Sequence, residues 1–430
     1  MKAIITNRIY MDDPGKLNSK FIIDSLTYKF KKNTGSKKFS VIETVKNYRI
    51  LSKGIISIPQ GRTDLIPDGY EIIDKRVTNP VPFPQTKYPL REDQLEVYNS
   101  ANDTCFINAL VGWGKTFTAL HIAKKWEQKT LIVTHTTALR DQWCDEIKTL
   151  FNINPGIIGS GNYDIEDHCI VVGNVQSIIK HLDKINKEFG SVILDEAHHC
   201  PATTFSKTID SFYARYRLAL SGTIERKDGK HIFFSDYFGH TVFRPKQFNT
   251  IDPVVHIVKS NLTLKSGVTW VEKINELTQN DYYRKFISAL ATFHINQGHS
   301  VLIVADRIEF LEKVKEYVGE TCLLVTGDTS YEERQYAKQQ ILSKEKMCIA
   351  GSRQIFSEGI SINALSCVIL AVPMSNDSLL EQIVGRIMRE FPNKPQPIVV
   401  DIQFSGWADK KQNNDRLGLY VKKGWKIELV

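Results

Sequence analysis

The sequence predicts an α/β protein with two parallel-sheet lobes in tandem behind a small β-rich (α+β) front module. Three observations carry that prediction. Two long stretches alternate strand-length apolar runs with helical segments. The runs lack the polar alternation of a half-exposed strand, so helices must cover both faces of each sheet. A cluster of prolines then separates these stretches from a shorter first segment with a different charge balance.

Residues 1–76 read as short strands and turns, KAIITN, KFIIDSLTYKF and VIETVKNYRILS, with the Lys-rich KKNTGSKK (31–38) as a hairpin turn. TNPVPFPQTKYP follows, with prolines at 80, 82, 84 and 89. Such a run continues neither a helix nor a central strand, which predicts a linker and a domain boundary near residue 87. The first lobe is expected over 88–250, with strands in TCFINAL, TLIVTH, HCIVVG, SVILDE and YRLALSG and helices in FTALHIAKKWEQ and TALRDQWCDEIKTL. The second is expected over 251–430, with strands in SVLIVADR, CLLVTG, KMCIAG, CVILAVP and PIVVDI.

At 430 residues, 42% hydrophobic and 24% charged, the chain has enough apolar content for two or three separate cores. No apolar run approaches the roughly 20 residues that span a bilayer. The opening MKAIITNRIYMDDPG has too short an apolar stretch for a signal peptide. A cytoplasmic protein without a membrane partner is therefore expected. The seven cysteines show no C-x-x-C spacing and several sit in apolar runs, which predicts reduced, buried thiols rather than disulfides or a zinc site. The net charge of +8 is unevenly placed. Residues 1–87 hold 16 of the 56 Lys and Arg but 8 of the 48 Asp and Glu, and the remainder balances. A local basic excess favours polyanions. Lys31, Lys32, Lys37 and Lys38 are candidate nucleic-acid contacts, with Tyr28, Phe30 and Phe39 nearby for base stacking.

ALVGWGKT (109–116) lies between a predicted strand and a predicted helix, the setting of a phosphate-binding loop. Gly112 and Gly114, flanking Trp113, let the backbone approach phosphate oxygens, and the helix start offers free N–H groups and a positive dipole end. Lys115 is placed to reach the β- and γ-phosphates, and the Thr116 hydroxyl to ligate Mg²⁺. SVILDEAHH (191–199) ends a buried run in two carboxylates, where ligands of parallel sheets bind. Asp195 is expected to hold Mg²⁺ through a water, and Glu196 to orient or deprotonate an attacking water. Gln382, Arg386 and Arg389 recur at i, i+4 and i+7, which predicts one helix face presenting both arginines to a triphosphate.

This ordered set resembles helicase superfamily 2. GWGKT is similar to its motif I, THTTALRDQW (134–143) to Ia, GNVQSI (173–178) to Ib, DEAH to II, SGT (221–223) to III and QIVGRIMR (382–389) to VI. The resemblance implies two RecA-like lobes, ATP with Mg²⁺, and single-stranded or branched DNA as partner. It implies a base contact for Gln94 in LREDQ, and coupling roles for His198, Ser221 and Thr223. It places Gly359 in the ATP site through SRQIFSEGISINAL (352–365), similar to motif V, where Ser361 replaces a frequent Asp. YRLALSGTIERKDG resembles the XPB-like branch. The Gly-Ile-Ser variant and the overall plan resemble the recombination helicases of T-even phages, which implies a phage protein acting on forked or four-way DNA. Alternatives are the translocating subunit of a restriction or repair nuclease, an RNA helicase, or a scaffold with a dead ATP site. The sequence sets no oligomeric state, and a monomer is compatible with it.

Overall fold

The computed structural model describes residues 1–33, 40–51, 54–110, 112–197, 203–222, 233–246, 250–263, 269–358, 360, 362–374, 377–405 and 407–430. The chain forms two compact units, Met1–Leu110 with Gly114–Gln247, and Val111–Trp113 with Phe248–Val430.

The first unit contains the front module. Strands β1 (Lys2–Ile5), β2 (Arg8–Met11), β5 (Arg49–Ile50), β6 (Ile56–Pro59) and β7 (Glu71–Asp74) form a sheet ordered β5-β6-β2-β1-β7, while β3 (Thr27–Asn33) and β4 (Ser40–Lys46) pair separately as an antiparallel ribbon. The predicted strand KFIIDS is instead the end of a helix, Gly15–Ser25. Its spacing explains this: Ile22 and Leu26 lie four residues apart and enter the core with Ala3, Ile9, Met11, Ile56 and Ile58. Tyr28 and Phe30 do not face solvent as stacking platforms either. Their rings pack against Phe233, the Tyr28 hydroxyl donates to Asp236, and Phe30 joins the core of the following lobe.

That lobe is built on β8 (Cys105–Asn108), β9 (Thr130–Thr134), β10 (Gly156–Gly159), β11 (Asn162–Tyr163), β12 (Ile170–Asn174), β13 (Ser191–Leu194), β14 (Tyr216–Ser221) and β15 (Val242–Phe243). The order is β11-β10-β12-β9-β13-β14-β8-β15, parallel except where β11 turns back on β10. All five predicted strands are present. β10, β11 and β15 escaped the sequence reading because they are pieces of two to four residues at or next to the sheet's edges.

Two buried ion clusters join the front module to this lobe. Arg8 donates to Asp210 at 2.6 Å and to the Ser57 hydroxyl, with both charged side chains nearly inaccessible. Asp236 accepts from Tyr28, Asn47 and Arg62, three separate segments of the module. Burial raises the Asp236 pKa, and these three donors oppose the rise. The proline-rich stretch is also fixed. Val77, Asn79 and Val81 donate their amides to Tyr213 O, Gln128 Oε1 and Glu127 O, while the intervening Pro80 has no N–H to give. Its acceptors precede β9 and β14, so the strap crosses the amino ends of the strands.

The second unit repeats the plan with β16 (Val254–Thr263), β17 (Val301–Ala305), β18 (Cys322–Val325), β19 (Cys348–Ser352), β20 (Cys367–Leu370), β21 (Ile398–Ser405) and β22 (Lys426–Leu429). The order β18-β19-β17-β20-β21-β16-β22 is parallel throughout. β16 and β22, missed in the sequence, mix apolar and charged residues because they lie at one side of the sheet.

A histidine cluster sits beside β16. The His294 ring lies 6.0 Å from that of His256 and 5.7 Å from that of His299, which bonds the Ser366 hydroxyl, while His256 faces Glu428. Burial, then the two neighbouring rings, lowers the His294 pKa to about 4. An unfolded imidazole near 6.5 takes up its proton first as pH falls. The second unit is thus expected to lose stability between pH 6.5 and 4, by on the order of 2 kcal/mol allowing for solvent screening. His294→Gln should flatten that slope in urea titrations at pH 7 and pH 5.

Candidate ATP site

The parallel register brings the carboxyl ends of three central strands of the first lobe into line. Ser221 pairs with Asn108, and Leu194 with Ala219, so the segments after β8, β13 and β14 emerge side by side. Ala109 N donates to Ser221 O at 3.1 Å, which ties the start of the glycine loop to the predicted coupling residue Ser221.

The loop ends at Gly114, the N-cap of the helix Lys115–Trp126. Gly112 and Gly114 have φ of 93° and 92°, left-handed conformations that favour glycine. Gly114 has a second constraint, since a Cβ there would lie 2.5 Å from Gln94 Nε2. Gln94 is buried and accepts the Arg91 N–H through Oε1, capping the helix Glu92–Ser100. The structure thus sets Gln94 against the phosphate loop. The Lys115 ammonium donates to the carbonyls of Ala109 and Leu110 at 2.7 and 3.3 Å. Thr116 follows in the first helical turn, and Trp113 is buried.

Asp195 follows β13 and is buried. Its Oδ2 accepts from Trp143 Nε1 at 2.8 Å and its Oδ1 from Glu196 N at 2.9 Å. Burial, then the Glu196 charge, raises its pKa to about 6, against the Trp143 hydrogen bond and the Lys115 ammonium. Glu196 takes a left-handed φ of 49°, unusual for a side chain of its size. Two carboxylates thus sit together here, with the Lys115 ammonium acting on Asp195. No group of three or more His, Cys, Asp or Glu gathers for a metal among the described residues. The hard carboxylate oxygens of Asp195 and Glu196 are donors of the kind that fit Mg²⁺.

Gln382 and Arg386 lie on the helix Asp377–Ile387 of the second unit, both buried. Arg386 Nε donates to Phe356 O, and the Phe356 ring packs where a side chain on Gly351 would collide. Arg389 departs from the predicted helix face. The helix stops at Ile387, and the chain then pairs with Thr250 and Ile251, with Ile251 N donating to Met388 O. Gly385 weakens the last turn, Pro392 follows closely, and the bridge to Thr250 competes for the backbone. Arg389 is placed instead by Asn363 Oδ1, at 3.4 Å from Nη1, and by Lys394, which donates to Arg389 O at 2.6 Å. Trp143, Phe356, Gly351, Asn363 and Lys394 all went unassigned in the sequence. Only Trp143 carried a signal, as a large indole in a polar helix. His198, Thr223, Gly359, Lys37 and Lys38 lie outside the described residues, as do the side chains of Lys31 and Lys32, whose backbone is in β3.

A glycine loop and a carboxylate pair at the carboxyl ends of one parallel sheet, with a second parallel lobe after it, define the class: a RecA-like ATPase. Residues 86–226 match the family described as type III restriction enzyme, res subunit, and residues 281–390 match the helicase conserved C-terminal domain. The chain is 39% identical to "Probable helicase D10" of Escherichia phage T5, over 99% of its own length and 95% of that protein. It is 26% identical to "DNA 3'-5' translocase XPB2" of Sulfurisphaera tokodaii, over 80% and 88% of the two chains. The structure of S. cerevisiae Dbp5 bound to RNA and ADP BeF3 covers 79% of this chain and 94% of its own, at 11% identity and a TM-score of 0.58, a likeness of fold. The chain belongs to the superfamily 2 helicases, related to phage helicases, and is an ATP-dependent helicase. No described helix is long and apolar enough to cross a membrane.

Proposed function

We propose that the chain is an ATP-driven motor on DNA that unwinds or branch-migrates forked and four-way substrates. The observation that carries the catalytic part is that the glycine loop and the turn bearing buried Asp195 and half-buried Glu196 both leave the carboxyl ends of one parallel sheet, with the Lys115 ammonium acting on Asp195. In this reading Gly112, Trp113, Gly114 and the helix start cradle the phosphates, Gln94 meets the base, and Lys115 holds the β- and γ-phosphates. Thr116 and, through water, Asp195 hold Mg²⁺, which when bound supplies positive charge to the phosphate oxygens. Glu196 orients the attacking water and takes its proton. Gln382, Arg386 and Arg389 supply polar contacts and guanidinium charge to the transferring phosphoryl group, and Gly359 is assigned to ATP binding by its motif V resemblance. Ser221, Thr223 and His198 couple hydrolysis to nucleic acid.

DNA as the track is supported by the basic excess of residues 1–87 and by the likeness to XPB2, named a DNA 3'-5' translocase. Residues 1–87 are proposed as a duplex-gripping module, through Lys31, Lys32, Lys37 and Lys38, with motor lobes over 88–250 and 251–430. Phosphate contacts dominate such binding, so recognition follows shape rather than sequence. The match to a restriction-enzyme res subunit favours one second reading, a translocating subunit of a nuclease.

Strand displacement on forks, four-way junctions and tailed duplexes of DNA and of RNA, with and without ATP, tests both readings. Faster ATP-dependent opening of branched DNA than of tailed duplex or RNA is expected. Equal opening of RNA would remove the DNA assignment, and Mg²⁺-dependent cleavage would favour the nuclease reading. Glu196→Gln serves as the control. It should bind ATP as the parent does and hydrolyse it about 10²–10⁴-fold more slowly.

A further inference from the structure

We propose that Trp143 is the positioning residue of the Asp195 carboxylate, fixing by its indole N–H the group that holds the divalent cation of the nucleotide. This rests on the reading of Asp195 given above.

Trp143 is 1% exposed and lies on the helix Thr137–Phe151, which follows β9, the strand beside β13. Its Nε1 lies 2.8 Å from Asp195 Oδ2. A buried indole N–H requires an acceptor, and a buried carboxylate requires donors. Phenylalanine would keep most of the apolar contact in the lobe core and leave a small void, but it would lose the donor, so the metal-dependent part of its effect isolates the N–H. The second oxygen, Oδ1, receives the Glu196 N–H. One donor thus comes from the turn that carries the carboxylate and the other from a separate helix, and together they fix the plane of the group. Each carboxylate oxygen keeps a further acceptor position for a cation-bound water. Partners of this kind set the orientation of metal-holding carboxylates, and their loss costs about 10- to 100-fold in metal affinity.

The test is ADP binding by calorimetry, with Mg²⁺ and with EDTA. Trp143→Phe is expected to weaken binding of ADP with Mg²⁺ by about 10- to 100-fold, and to leave metal-free ADP binding unchanged. Equal losses in both would show a structural role and overturn the proposal. No loss in either, while Asp195→Asn loses its Mg²⁺ dependence, would overturn the role of Trp143 alone. If Asp195→Asn keeps its Mg²⁺ dependence, the reading of Asp195 fails and the proposal with it. Should Trp143→Phe not fold, the indole N–H signals of the unsubstituted chain's six tryptophans decide. The signal displaced by Asp195→Asn is expected to shift when Mg²⁺ is added to the ADP-bound protein. The absence of such a signal, or its indifference to Mg²⁺, would overturn the proposal.

Discussion

Lys115→Ala is expected to lower the ATPase rate by about 10²–10³-fold or more, the scale of losing one preorganised charge at a phosphoryl centre. The side chain is half-exposed at the start of its helix and donates to carbonyls of its own loop, Ala109 O and Leu110 O. Its removal opens no core cavity, so the variant should melt near the parent. The loss therefore belongs to chemistry rather than to folding. Phosphate release with saturating nucleic acid measures it, and unchanged turnover would remove the phosphate-loop assignment. The substitution also withdraws the ammonium that lowers the Asp195 pKa.

Arg8→Ala is the second large effect, and it lies far from the chemistry in sequence and in role. Arg8 and Asp210 are both nearly inaccessible, 2.6 Å apart, and belong to the front module and the first lobe. Truncating the arginine leaves Asp210 buried with a single described ion-pair partner, Arg49, which is 62% exposed and 3.2 Å away. Breaking a buried pair from one side costs about 3–5 kcal/mol, whereas replacing both members by apolar residues is often neutral. Urea unfolding of the first unit should therefore show a loss of that size for Arg8→Ala, and most of it recovered in the pair Arg8→Met with Asp210→Leu. Similar midpoints for the single and the paired substitution would show that the contact is not an isolated pair.

The sequence shows what depends on local pattern and loses what depends on distant partners. The five strands predicted for each lobe were legible because buried parallel strands are continuous apolar runs bounded by turns. The strand–glycine loop–helix connection was legible because its glycines and lysine are contiguous. KFIIDS was misread because a short apolar run does not distinguish strand from helix until Ile22 and Leu26 meet a sheet. Arg389 was placed on a helix because its i+7 spacing fits one, while the competing bridge to Thr250 lies about 140 residues away in the chain. Tyr28 and Phe30 looked like exposed aromatics beside a basic loop. Their partners, Phe233 and Asp236, are some 200 residues downstream, and no composition signal connects them.

The strap at residues 77–81 changes what the front module can do. Alternate amides are spent on Tyr213, Gln128 and Glu127, and the proline between them stiffens the remaining path. A tether made this way has no slack. A load on the module would be handed straight to the amino ends of β9 and β14, the end of the sheet opposite the glycine loop, so that module and first lobe are held as one body and not as a hook trailing on a cord.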